Sequence, residues 1–466
     1  MNSKDFYERR AGVLLHPTSL PSGLLDRDVE RWLGLLEGAG FSVWQVLPLG
    51  EPKGGLSPYQ CISAFAMNPA LIADYPALDK TEPGYIDFCT RNHDWLYDYA
   101  LYKVLKQMFN DAPWYEWPDE WKYRQPHAMK RAFDEFRDYV AESSWEQFQL
   151  HQRWREIKDK ANHKGIRLFG DIPLFVAHDS VDVWAHPEQF LLDRKGMMTV
   201  VAGVPPDYYS ATGQRWGNPH YNWEVMRQEN FSWWLARINH HLDEFDILRI
   251  DHFRGLESAW VIDANCDTAV DGHWELMPGD ELLSKIHEDI GYLPIVAEDL
   301  GIITAEVTAL RKKFRLPGMA VLQFGFDEYH DNPHKPHNIK EDTVVYTGTH
   351  DNDTTKGWFN SLNKDDKNYV LQTLDLYGYG HNTSTDDEGV ADQVLEKLID
   401  DAMYSKASLC MLPMQDCLHL DSEARMNVPG TIHGNWSWSF DWEQVSDEMA
   451  ADMRLRMEQA NRLVKI

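Results

Sequence analysis

Short apolar runs alternate with longer amphipathic segments along most of the chain. The runs are four to nine residues long and rich in β-branched or aromatic residues, which is typical of strands buried on both faces of a parallel sheet. Eight runs are predicted to be strands: 12–15, 41–47, 166–174, 245–251, 293–298, 319–324, 343–348 and 409–412. Helical patterns lie between most of them, at 28–39, 231–242, 280–290, 304–314 and 387–404. Eight strands alternating with helices predict an α/β fold, a (β/α)8 TIM barrel.

Two segments are too long to be simple connections. More than a hundred residues, dense in tryptophan, tyrosine and charge, separate the second predicted strand from the third. We expect residues 50–165 to form a mostly helical insertion after strand 2, as one wall of a cleft. Residues 203–219 are rich in proline and glycine and are expected to form a loop over that cleft, since long ordered loops usually serve function. The chain, 1–466, is expected to be one barrel domain.

Composition and charge narrow the class of partner. Asp and Glu number 74 against 45 Lys and Arg, a net charge of −29. A chain this acidic binds polyanions poorly, so we expect no nucleic acid and no membrane partner. There is no apolar signal core, no apolar run of membrane-spanning length and no CxxC among five scattered cysteines, which favours a cytoplasmic protein with buried thiols. The substrate is expected to be neutral, and some of the 19 tryptophans could stack on sugars.

Acidic residues lie at the ends of the apolar runs in four of the predicted strands or directly beyond them. Asp171, Asp251, Glu298 and Asp351 each come after an apolar run, and the carboxyl ends of barrel strands meet at one face. Convergent carboxylates without a basic cluster suit glycosidic bond chemistry. In that chemistry one protonated acid donates its proton to the leaving oxygen. A second, ionised acid attacks the anomeric carbon or stabilises the positive charge that develops on it. Any single acid at a strand end could instead cap a helix or hold a loop.

The neighbours of these acids leave further alternatives open. Arg249 lies two residues before Asp251, on the same face of the strand, and could hold a carboxylate ionised or form an ordinary buried salt bridge. Structural roles remain plausible for Asp171, Asp299 and Asp353. The sequence His-Asp-Asn-Asp at 350–353 lacks the glycine and distal glutamate of an EF-hand loop, so no metal site is expected.

Six segments together are more specific than any single acid. They read SPYQ at 57–60, GDIP at 170–173, GVPPDYYSATGQRWGNP at 203–219, RIDHFRG at 249–255, AEDLG at 297–301 and TGTHDNDTT at 347–355. In these segments the chain resembles the 4-α-glucanotransferases, also called amylomaltases or disproportionating enzymes, which are related to α-amylases. The resemblance extends from about residue 10 to residue 438, nearly the whole chain.

The resemblance implies both a fold and a set of site residues. The fold would be a (β/α)8 barrel with inserted subdomains, without the C-terminal β-sandwich of typical α-amylases and without a cofactor. Asp251 matches the position of the nucleophile, Glu298 that of the general acid/base, and Asp351 that of a third acid that stabilises the transition state. The remaining matched positions would bind or surround the glucan: Tyr59, Asp171, Trp216, Asn218, Arg249, Phe324 and His350.

The resemblance also implies a reaction. An α-1,4-glucan segment would move from a maltooligosaccharide or glucan donor to the 4-hydroxyl of a glucose or maltooligosaccharide acceptor, by retaining double displacement through a covalent glucosyl-enzyme intermediate. A retaining α-glucan hydrolase of the α-amylase type is the alternative, because the two reactions share every carboxylate. A non-catalytic glucan-binding protein would not need all three acids.

Overall fold

The structure is a computed structural model that describes residues 8–206, 210–376 and 388–464. Its strands, in chain order, are β1 Arg10–Leu14, β2 Val43–Gln45, β3 Arg167–Ile172, β4 Val200–Val204, β5 Gln214–Pro219, β6 Ile247–Ile250, β7 Ser258–Asp263, β8 Gly272–Leu276, β9 Ile295–Ala297, β10 Gly318–Val321, β11 Thr343–Tyr346 and β12 Leu409–Pro413. Its α-helices are α1 Arg27–Ala39, α2 Pro83–Arg91, α3 His93–Met108, α4 Asp119–Lys122, α5 Pro126–Glu135, α6 Arg137–His163, α7 Val181–Ala185, α8 Trp223–Gln228, α9 Ser232–Glu244, α10 Gly279–Ile290, α11 Ala305–Lys313, α12 Thr355–Ser361, α13 Lys364–Thr373, α14 Glu388–Tyr404, α15 Met414–Cys417 and α16 Asp447–Gln459.

Eight parallel strands form a nearly closed barrel. Their spatial order is β10-β11-β12-β1-β2-β3-β6-β9. The two edges approach each other where the backbone N–H of Ala297 donates to the carbonyl of Pro317, at 2.9 Å. Each of the eight predicted strands overlaps one strand of this barrel. The predicted (β/α)8 fold is therefore confirmed.

The barrel interior is filled by alternate residues of its strands. Val43, Phe169, Ile247 and Val296 belong to one buried cluster that includes side chains from seven of the strands. β1 contributes Gly12 instead, where a Cβ atom would lie 2.5 Å from the carbonyl oxygen of Val43. Because side chains along a strand alternate in direction, residues two positions further along also face inward, at the mouth of the barrel.

The long segment between β2 and β3 contains α2 to α6. Its 27-residue helix α6 packs against the outside of the barrel. Trp154 of α6 lies 5.9 Å from Trp44 of β2, ring centroid to ring centroid, and its indole N–H donates to the carbonyl of Glu244, at 3.0 Å. These buried aromatic contacts fix the helical segment to the barrel wall.

A second, antiparallel sheet corrects the expectation of a loop at residues 203–219. β4 and β5 pair within this segment, and the sheet has the order β5-β4-β7-β8. Two glycines have structural roles here, since one lets the two strands approach closely and the other forms a turn. A Cβ atom on Gly203 would lie 2.1 Å from the carbonyl oxygen of Gln214, and Gly213 has a φ of +66°. Tyr208 and Tyr209, which we expected over the cleft, lie outside the described residues.

The described segments after β12 contain only helices, turns and irregular backbone as far as residue 464. None of the described helices combines the length and apolar character needed to cross a bilayer.

Candidate active site

Arg249 connects two acids at the barrel mouth. It pairs with Asp171 in the register of β3 and β6, and its Nη1 donates to both carboxylate oxygens of Asp171, at 2.8 and 2.7 Å. Its Nη2 lies 2.8 Å from Oδ1 of Asp251, the residue that follows β6. Although burial lowers the pKa of Arg249, the charges of Asp171 and Asp251 raise it well above its usual value. The guanidinium is therefore a fixed positive charge between two carboxylates.

Glu298 follows β9, the strand next to β6. Its Oε2 accepts the backbone N–H of His252 at 2.7 Å, and its Oε1 accepts the N–H of Leu300 at 2.9 Å. Burial raises the pKa of Glu298 to about 7, and the charge of Asp251 adds to the rise while that of Arg249 opposes it. The mouth thus contains an acid that can hold a proton at neutral pH, beside an acid paired with an arginine.

Tyr59 and His350 bring two further loops to this group. The hydroxyl of Tyr59, in the loop after β2, donates to Oδ2 of Asp171 at 2.7 Å. Its ring stacks on that of His350, after β11, with centroids 5.2 Å apart and planes 14° apart. Trp436 completes the aromatic group, 5.8 Å from each of the two rings. Tyr59 therefore contacts both Asp171 and His350, two of the other residues predicted from the sequence.

Asp351 is more exposed than the other acids. Its side chain is 48% accessible, and Nε2 of His350 lies 3.5 Å from its Oδ2. Asn427 donates to its Oδ1 at 2.6 Å, and Arg425 donates to its backbone carbonyl at 2.9 Å. Two residues from the far end of the chain therefore hold this acid at the mouth.

The other predicted binding residues lie around the acids in different settings. Trp216 of β5 meets the ring of His252 edge to face, with centroids 4.8 Å apart, so it borders Asp251. Asn218 is buried and uses its side chain internally, accepting from Gln60 at 2.9 Å and donating to the carbonyl of Val176 at 2.8 Å.

Phe324 lies after β10, packed against the interior cluster, and its ring contacts His334 edge to face with centroids 5.5 Å apart. The structure gives Phe324 no described contact with the acids.

Asp299 and Asp353 have structural contacts. Asp299 accepts the N–H of Met319 at 2.7 Å and lies 3.1 Å from Nε of Arg311. Asp353 accepts the N–H of the next residue and the hydroxyl of Ser422, both at 2.8 Å. These contacts hold neighbouring backbone and side chains in place, so the structural roles left open for both acids fit the observed geometry.

Sequence reasoning missed Arg425, Asn427 and Trp436. They lie in an irregular stretch between α15 and α16, where no hydrophobic period marks them. The abundance of tryptophan was the one available signal, and it pointed to no particular position. Among the described residues, a grouping of three potential metal ligands occurs only at His151, His240 and Glu244, none of which is a predicted site residue.

Comparison with known proteins was consistent across sequence and structure. The family model described as 4-alpha-glucanotransferase matches residues 15–82 and 73–444. The 4-alpha-glucanotransferase of Thermus thermophilus is 43% identical over 98% of this chain and 99% of its own length, and that of Synechocystis sp. is 41% identical over 96% of each. The solved amylomaltase of Streptococcus agalactiae in complex with acarbose matches with a TM-score of 0.90 and 32% identity, over 98% of this chain and 100% of that chain.

Proposed function

The chain belongs to the 4-alpha-glucanotransferase family, and we propose that Asp251 and Glu298 carry out its transfer of α-1,4-glucan segments. The reaction is a retaining double displacement through a covalent glucosyl-enzyme intermediate. An α-amylase-type hydrolase is not favoured, because curated relatives with 43% and 41% identity are named 4-alpha-glucanotransferases. We also propose that residues 1–466 form one catalytic barrel domain, in which residues 50–165 are an insertion after the second barrel strand.

The proximity of Glu298 to Asp251 carries this assignment. Oε2 of Glu298 is bonded to the backbone N–H of the residue that follows Asp251. Because burial raises its pKa to about 7, Glu298 keeps its proton to a much higher pH than an ordinary glutamate does. It can therefore donate a proton to the glycosidic oxygen and later accept one from an incoming hydroxyl.

Asp251 acts as the nucleophile. Its carboxylate, oriented by Arg249, attacks the anomeric carbon as the reducing-end fragment leaves. Glu298 then deprotonates the 4-hydroxyl of an acceptor, glucose or a maltooligosaccharide, and the α-linkage forms again. By microscopic reversibility, the acid that donates a proton to the leaving oxygen, Glu298, is also the base that removes the acceptor's proton.

The remaining predicted residues bind and orient the sugar. Asp351 accepts hydrogen bonds from ring hydroxyls that strengthen as the ring flattens toward the transition state. His350 and Tyr59 offer a polar and aromatic surface beside it, and Trp216 shields the Asp251 side of the cleft. Excluding water from that side favours a sugar acceptor over hydrolysis.

Incubation with maltotriose alone tests the reaction. Chromatography should detect glucose together with glucans longer than maltotriose, whereas only shorter sugars would indicate a hydrolase. Asp251→Asn and Glu298→Gln should each lose most of the transfer activity. Asp263→Asn is the matched control, because Asp263 ends β7 as an exposed acid on the smaller sheet. A near wild-type rate in either catalytic variant would refute that role.

A further inference from the structure

A second cavity lies between the helical segment and the barrel wall. Its volume is about 710 Å³, and it is lined by residues of α2, α3, α6, α7 and α9 and by Ser63 and Phe65. None of the three proposed catalytic acids lines it. His151 of α6 lies on one side, and His240 and Glu244 of α9 lie on the other. The glucan chemistry at the barrel mouth makes no use of these groups.

Two imidazole nitrogens converge on one carboxylate oxygen in this cavity. Oε1 of Glu244 lies 3.2 Å from Nδ1 of His151 and 3.3 Å from Nε2 of His240. The three potential ligand atoms all lie within 4.8 Å of one another. Zinc bonds to histidine and carboxylate of about 2.0–2.1 Å place neighbouring ligand atoms of a tetrahedron about 3.3–3.4 Å apart. Two edges of the cluster already have nearly that length.

The carboxylate oxygen at the centre of the cluster is otherwise unsatisfied. Oε1 of Glu244 is inaccessible to solvent and, apart from the imidazoles of His151 and His240 at ion-pair distance, has no partner among the described residues. Nε2 of His151 is also inaccessible to solvent and has no hydrogen-bond partner among the described residues. Burying a polar atom without a partner is costly, and a buried charge is usually paired or bound to a metal. A cation between the two imidazoles and Oε1 would satisfy the carboxylate.

The surrounding contacts orient the cluster. Nε2 of His241 lies 3.0 Å from the carbonyl of Ala64, and its Nδ1 lies 3.0 Å from Oε2 of Glu244, so His241 holds the second carboxylate oxygen. Outer contacts of this kind are typical of metal sites. Nε2 of His240 also lies 2.8 Å from the carbonyl of Phe65. A metal at this nitrogen would displace its proton, as is usual for histidine ligands.

We propose that His151, His240 and Glu244 form a binding site for a divalent transition metal of the zinc class. Three protein ligands leave the fourth position to water from the cavity. The ion would connect α6 of the helical segment with α9 of the barrel. The site lies in a cavity that none of Asp251, Glu298 and Asp351 lines, and its proposed role is to join these two helices.

Titration of the metal-stripped full-length protein with zinc chloride tests the proposal. Calorimetry should show one tight equivalent in the wild type, and this equivalent should be lost in His151→Gln and His240→Gln. His186→Gln is the matched control, because His186 lines the same cavity outside the cluster. His241→Gln should keep the equivalent but bind it about 10- to 100-fold more weakly. Absence of a tight equivalent in the wild type, or its persistence in His151→Gln, would overturn the site.

Cobalt substitution decides the question even if a variant does not fold. Wild-type protein loaded with cobalt(II) should show the intense visible absorption of tetrahedral coordination, and zinc should abolish it. If the spectrum shows nothing but the weak absorption of octahedral, hydrated cobalt, the proposal is wrong. Both readouts are independent of sugar transfer, so their failure would leave the roles of Asp251 and Glu298 untouched.

Discussion

Replacing Glu298 with glutamine should remove a pH-dependent loss of stability, and it should also remove activity. Burial raises the pKa of this carboxyl from 4.5 to about 7, with a further rise from Asp251 that Arg249 opposes. Glutamine has nearly the same shape and cannot ionise, although its single amide oxygen can keep only one of the two backbone hydrogen bonds that Glu298 accepts. The wild type must either keep a proton that the unfolded chain releases or bury a charge, and the variant does neither.

The expected size follows from linkage. Between pH 4.5 and 7 the unfolded chain loses the Glu298 proton while the folded chain keeps it, so the free energy of unfolding falls as pH rises. At about 1.4 kcal/mol per pH unit the loss approaches about 3 kcal/mol, and it is constant above pH 7. With about 2.1 cal/mol/K of unfolding entropy per residue, a chain of 466 residues should shift its Tm by about 3 °C.

Scanning calorimetry of both proteins from pH 4.5 to pH 8 measures this effect. The Tm of Glu298→Gln minus that of the wild type should increase with pH up to about pH 7 and then level off. Groups that do not interact with Glu298 contribute equally in both proteins and cancel in this difference. Glu275→Gln is the control, because it makes the same substitution at an exposed position on β8 where no carboxyl is buried. A difference for Glu298→Gln that does not change with pH would refute our account of the buried acid.

Three further predictions concern the same cleft. The value of kcat/KM for maltotriose should fall as pH rises through about 7, because Glu298 then loses the proton it donates, and a pH–rate profile checks this. Tyr59→Phe should destabilise the protein by about 1.5–3 kcal/mol in urea unfolding, since it removes a hydrogen bond to the buried carboxylate of Asp171; an unchanged midpoint would contradict this. Asn427→Ala should lower kcat by about 10- to 100-fold by releasing Asp351, with the fold unchanged by circular dichroism. A wild-type kcat would show that Asn427 does not position Asp351.

The barrel could be predicted because its strands are buried on both faces. Such strands are continuous apolar runs, and in four of them an acidic residue lies near the carboxyl end of the strand. Arg249 was found for the same reason, since a period of two places it inward with Asp251. Six of the eight predicted runs are longer than the strands they overlap, because the apolar residues continue beyond the strand ends into the adjoining loops.

The antiparallel sheet could not be predicted in the same way. Gly203 and Gly213 have the composition of a loop, yet one permits two backbones to approach and the other forms a turn. β8 has exposed side chains at four of its five positions, so no apolar run marks it. Asn427 contacts Asp351 across 76 residues of sequence, and nothing in its local pattern indicates that contact.

The bridge from Asp171 through Arg249 to Asp251 has a consequence for how activity is gained during folding. Asp171 and Arg249 are 78 residues apart in the chain and meet only when β3 and β6 pair. A partly folded chain with separate βα units therefore has an unoriented nucleophile. After dilution from denaturant, sugar transfer should therefore recover at the rate at which β3 and β6 pair. It should not recover with the earlier return of helix content.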